Sequence, residues 1–118
     1  MQVIQKAVEL VTKNETAIAL FTHGEFFHVD AASGNGWSGN WVLSPDNLEM
    51  VDRVIIYLRG PQDTTNRIFY GTYTTCQKTT EARRYVVRFT NLKEIGATPN
   101  NWIDFADSGQ NPVSYVSR

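Results

Sequence analysis

Residues 54–58 read Val-Ile-Ile-Tyr-Leu, an unbroken apolar run bracketed by Arg53 and Arg59. A strand with no polar side must be covered on both faces, so this run predicts a layer above it and a layer below it. GPQDTTN at 60–66 is rich in turn-forming residues. RIFYGTYTT at 67–75 then reads as the return strand of a hairpin. Gly71 inside that strand marks a bulge or a bend, as a small curved sheet requires.

The rest of the chain is arranged around this hairpin. In residues 1–14, Val3, Ile4, Ala7, Val8 and Val11 fall at helical spacing, which predicts an N-terminal amphipathic helix ended by Asn14. TAIALFT at 16–22 reads as a buried strand broken by His23-Gly24-Glu25, and EFFHVD at 25–30 as a short strand. Residues 31–40 read as a loop. Ser44, Pro45 and Asp46 suit an N-cap, a first helical position and a helix dipole, which predicts a short helix. RRYVVRFT at 83–90 alternates, with Tyr85, Val87 and Phe89 on one side and Arg84, Val86, Arg88 and Thr90 on the other. Ile95-Gly96 reads as the end of that unit. One helical turn is expected near 101–106, and an edge strand at 113–116. Helices and strands in this order predict an α+β domain. The expected shape is a small, partly open β-barrel of about five to six strands, flanked by short helices.

A chain of 118 residues is expected to be one domain with a core of its own. Its 42% hydrophobic and 19% charged residues suit a soluble globular protein. Cys76 stands alone, which excludes an intramolecular disulfide and a zinc knuckle and fits a reducing, cytoplasmic compartment. No apolar run approaches the roughly 18 residues of a membrane span. Gln5, Lys6, Glu9 and Lys13 interrupt the N-terminus and argue against a signal peptide.

Charge is unevenly spread. Residues 1–50 carry two cations and six anions, a net −4, whereas residues 53–93 carry eight cations and two anions, a net +6. A basic segment attracts a polyanion even when the whole chain is near neutral, and a solvated sheet face is the plainer alternative. Arg84 and Arg88 point off one face of their strand, and guanidinium groups match phosphate geometry. Arg53, Arg59 and Arg67 extend the basic excess.

GNGWSGNW at 34–41 places two of the three tryptophans, Trp37 and Trp41, among glycines, asparagines and a serine. Either the rings face a ligand or they roof the core. In the first case the glycines let backbone groups approach a base edge, and Asn35, Ser38 and Asn40 supply further polar contacts. His23 and His28 have Glu25 and Asp30 nearby, but their spacing matches no zinc pattern, so no metal is expected. His23 remains a candidate for reading a base edge. Cys76 has only Lys78 close by to activate it, and GNGWSG lacks the Lys-Ser/Thr of a phosphate-binding loop.

The stretch GNWVLSPDNLEMVDRVIIYLRGPQDTTNRIFYGTY resembles the heart of PUA-like domains, the superfamily that includes the EVE, YTH and ASCH groups. The matching features are Trp41, the short helical passage at 45–50, the strand Val54-Ile55-Ile56-Tyr57, the loop at 60–66 and Ile68-Phe69-Tyr70-Gly71. RRYVVRFTNLKEI resembles the next strand of the superfamily, and QNPVSYVSR the segment that closes the barrel, so the resemblance spans residues 16–118. It implies a reader of DNA or RNA that accepts a modified or unpaired base in an aromatic cage. Trp41 would be one wall and Trp102 a second. Arg84, Arg88 and Arg59 would meet phosphates. A partner effector protein is implied, with no cofactor. The ASCH group offers an alternative, an amidohydrolase of modified nucleosides using Lys78, a threonine from Thr79-Thr80, and Glu81. A third alternative is a protein-interaction domain whose Trp-rich loop docks onto its partner.

Overall fold

The structure is a computed structural model that describes residues 2–61 and 65–118. It is mostly β-sheet: β1 (Gln2–Val3), β2 (Thr16–Thr22), β3 (Phe27–Val29), β4 (Gly36–Val42), β5 (Arg53–Leu58), β6 (Asn66–Lys78), β7 (Arg84–Thr98) and β8 (Val113–Ser117). One α-helix, α1 (Trp102–Ala106), and two 3-10 turns at Ala7–Leu10 and Pro45–Leu48 complete the described residues. The helical share is therefore smaller, and the strand share larger, than the sequence predicts. The helical turn near 101–106 and the strand at 113–116 are both present.

The strands form one mixed sheet in the order β3-β4-β7-β6-β5-β2-β8, and β1 pairs in parallel with the far end of β7. β2 and β5 run parallel from Ala17↔Arg53 to Thr22↔Leu58. β8 lies antiparallel to β2 at the sheet edge. The run at 54–58 is thus central, and alternation sends its side chains two ways. Ile55 and Tyr57 join Ala17, Ala19, Ile68 and the α1 residues Trp102 and Phe105 on one face. Val54 and Ile56 join Ile18, Leu20, Val87 and Phe89 on the other. Both faces are covered, as a parallel pair needs. Trp41 of β4 and Val113 of β8 share that second cluster although four strands separate theirs, so the sheet curls. It stays open, because β3 and β8 do not pair among the described residues.

Three expectations change. The expected helix over 1–14 is not formed among the described residues 2–14. Val3, Ile4, Val8 and Val11 are β-branched and lose side-chain freedom in a helix. β1 instead hydrogen-bonds to β7, where Ile4 N–H donates to the Ala97 carbonyl at 2.9 Å. The apolar spacing still works, because Ile4, Ala7 and Val11 are buried through one 3-10 turn. Asn14 has no helix to end.

The expected loop at 31–40 is half strand, since β4 starts at Gly36. A side chain at Gly36 would strike the His28 carbonyl of β3, and one at Gly39 would meet Val86 of β7 at 3.0 Å. These glycines allow close strand approach rather than flexibility. Gly96 does the same for β1, since a side chain there would strike the Gln2 carbonyl, and β7 continues past it to Thr98. Gly71 sits where the β6–β7 register shifts, as its position predicts, and a side chain there would meet the Leu92 α-carbon at 2.9 Å. The expected turn at 60–66 falls partly on residues 62–64, which lie outside the described residues.

Candidate nucleobase site

Two clefts open beside Trp41 and Trp102, and Phe21 lines both. The first has a volume of about 360 Å³. Phe21, Thr22 and His23 reach it from the end of β2, and Gly39, Asn40 and Trp41 from β4. Glu81 and Arg84 enter from the β6–β7 turn, and Glu25 and Phe26 from the link to β3.

Sequence dictates this geometry locally. Gly24, at φ 103, allows the reversal after β2, and the Thr22 hydroxyl accepts its N–H at 3.0 Å. Phe26 follows at φ 50 and remains 60% exposed. Its carbonyl accepts the Gly39 N–H at 2.8 Å, which fixes it to β4. A left-handed conformation at a non-glycine residue costs roughly 1–2 kcal/mol, and an exposed ring recovers little of that through burial.

Trp41 is 8% exposed and belongs to the core cluster, so it floors the cleft rather than projecting into it. Its indole N–H donates to the Ser38 hydroxyl at 3.1 Å. Ser38 is fully buried and does not line the cleft; it positions the indole instead of meeting a ligand. Arg84 donates to the Asn40 carbonyl at 3.0 Å and lies 3.8 Å from the Glu81 carboxylate.

The second cleft, about 400 Å³, holds Trp102 and Arg59 together with Tyr57, Asn66 and Asn101. Trp102 is 5% exposed and donates its indole N–H to the Asn111 carbonyl at 2.8 Å. The Tyr57 hydroxyl donates to the Asn100 carbonyl at 2.8 Å, and burial pushes its phenol up against the opposing pull of Arg59.

The structure therefore gathers His23, Asn40, Trp41 and Arg84 in one cleft and Arg59 and Trp102 in the next. Trp37 and Arg88 lie in neither. They face each other across β4 and β7 on the outer surface, where Trp37 lies 6.2 Å from the His28 ring and Arg88 binds Gln77. Strand alternation explains this, because Ser38 and Val87 beside them point inward. The wider arginine rim is also reduced. Arg53 pairs with Glu15 and Arg67 with Glu94, each at 2.7 Å. Of Lys78, Thr79, Thr80 and Glu81, only Glu81 lines the cleft, and the Thr79 hydroxyl accepts the Glu81 N–H within the turn.

Sequence reasoning passed over Phe21 and Phe26. The signal for Phe26 was the Phe-Phe doublet following Gly24-Glu25, since alternation exposes one of two adjacent rings. Among the described residues, no three or more His, Cys, Asp or Glu side chains gather to hold a metal. No helix among them is long and apolar enough to cross a membrane. Comparison with known protein families, curated proteins and solved structures finds no match, so the site's own geometry carries the functional argument.

Proposed function

We propose that the cleft between Phe26 and Trp41 holds one nucleobase, modified or unpaired, presented by a DNA or RNA strand, and that the domain acts as a reader. The exposed, left-handed Phe26 at the mouth of the cleft is the observation that carries this reading. Strained backbone that orients an exposed aromatic ring has a purpose when the ring covers a flat ligand. Asn40, His23 and Glu25 offer donors and acceptors for a base edge, and Arg84 stands beside them for a phosphate. The curled open sheet, with Trp41 beside a cleft, supports a PUA-like barrel as its fold.

The test is tryptophan fluorescence titration with a panel of oligonucleotides, unmodified and base-methylated. Saturable binding that weakens as salt rises is expected. Phe26→Ala, which removes an exposed ring, should weaken binding about tenfold or more, since one stacked base is worth roughly 1–3 kcal/mol. No saturable binding across the panel, or equal binding by Phe26→Ala, would overturn the proposal.

A further inference from the structure

The two clefts meet at a single ring. Phe21 stacks on Tyr57 at 5.4 Å with an interplanar angle of 16°. It meets His23 edge-on at 5.1 Å on the first side and Trp102 edge-on at 5.6 Å on the second. An aromatic lining therefore runs without a break from one cleft to the other. Each cleft also has its own arginine, Arg84 in the first and Arg59 in the second. Arg59 is exposed and has no ion-pair partner among the described residues, unlike Arg53 and Arg67. Asn101 uses its side-chain oxygen to cap α1, where the Asp104 N–H donates to it at 2.9 Å. Asn101 also lines the second cleft, and this cap uses its oxygen, not its amide N–H₂.

We infer that the second cleft binds the nucleotide next to the one held in the first, so that the ligand is a single-stranded dinucleotide step with the Phe21 ring between its two bases. This rests on the reading of the first cleft as a nucleobase site. Two concavities separated by one ring suit two flat groups joined by a short linker better than one large ligand. Aromatic platforms with a cation beside each are the usual means of holding successive bases of a single strand. A duplex cannot present two neighbouring bases in this way without unstacking them, so single-stranded or locally opened nucleic acid is the preferred form.

The experiment compares nucleoside monophosphates with the matching dinucleotides, unmodified and base-methylated, on the intact chain. Affinity is read by titration, and the two indole N–H resonances of Trp41 and Trp102 are followed by NMR. The dinucleotide should bind at least about tenfold more tightly than the mononucleotide. The Trp41 resonance should move with both ligands and the Trp102 resonance only with the dinucleotide. Arg59→Gln, a surface change, should remove the gain from the second nucleotide and leave mononucleotide affinity unchanged. If mononucleotides bind and move Trp41 while the added nucleotide brings no gain and no Trp102 shift, the second site is refuted and the first stands. If neither ligand binds, both readings fall.

Discussion

Glu15 sits at a junction of three strands, and removing its charge should make the acid stability of the fold measurably different. Its carboxylate pairs with Arg53 of β5 at 2.7 Å, accepts the Tyr70 hydroxyl of β6 at 3.2 Å and accepts the Thr12 N–H at 3.3 Å. Arg53 in turn donates to Thr72 at 2.8 Å. The Arg53 hydrogen bond, opposed by burial and aided by Thr12, holds the carboxyl down from 4.5 to about 2. At roughly 1.4 kcal/mol per pH unit, that fall corresponds to about 3 kcal/mol. The Arg53 side chain is 35% exposed, so solvent screening reduces the figure to about 1–2 kcal/mol. A depressed carboxyl stabilises the fold fully above its unfolded value and loses that contribution as pH falls toward its folded value. The window is therefore from about 4.5 down to about 2. Glu15→Gln should be less stable than the parent chain by about 1–2 kcal/mol at pH 7, and the gap should close through that window. Urea denaturation followed by tryptophan fluorescence at pH 7, 4 and 3 (roughly spanning the window) reads both. Parallel pH dependence of the two proteins would refute the assignment of this ion pair as a folding contact.

Other substitutions probe the site and its supports. Ser38→Ala leaves the buried Trp41 N–H without its acceptor and should cost about 1–3 kcal/mol by denaturant melting, with a shift in indole fluorescence. Phe26→Gly relieves the left-handed backbone, so stability should hold or rise by up to about 1 kcal/mol while oligonucleotide affinity falls. Gly36→Ala drives a methyl group into the His28 carbonyl and should cost about 1–3 kcal/mol, with hydrogen exchange accelerated first in β3. Tyr57→Phe removes the bond to the Asn100 carbonyl, which keeps the weaker Asn66 amide at 3.3 Å, so the loss should be about 0.5–1.5 kcal/mol.

The central hairpin was legible because its signals are local. The apolar run at 54–58, the bend at Gly71 and the alternation after Arg84 each follow from a few neighbouring residues. The N-terminal segment was not, because its outcome depends on β7, more than ninety positions away in the pairing Gln2↔Gly96. Helical spacing and burial through a 3-10 turn use the same residues, and only the distant partner decides between them. The glycines of residues 34–39 misled in a different way. Glycine marks both flexibility and close approach, and sequence does not say which neighbour approaches. Trp41, Asn40, His23 and Arg84, singled out from residue type and position, line one cleft. Trp37 and Arg88 were displaced to the outer surface by the register of β4 against β7, which a single sequence does not print.

The pairing scheme has a consequence for how the chain reaches this shape. β1, β4 and β6 all pair with β7, and β2 takes its outer partner from β8. The early strands thus wait on residues made much later, and sheets built from such distant partners assemble slowly and all at once. A fragment that stops short of residue 84 lacks a pairing partner for three of its own strands, β1, β4 and β6. It would leave sticky ribbons unpaired, so during synthesis this polypeptide is at its most vulnerable to clumping just before β7 emerges.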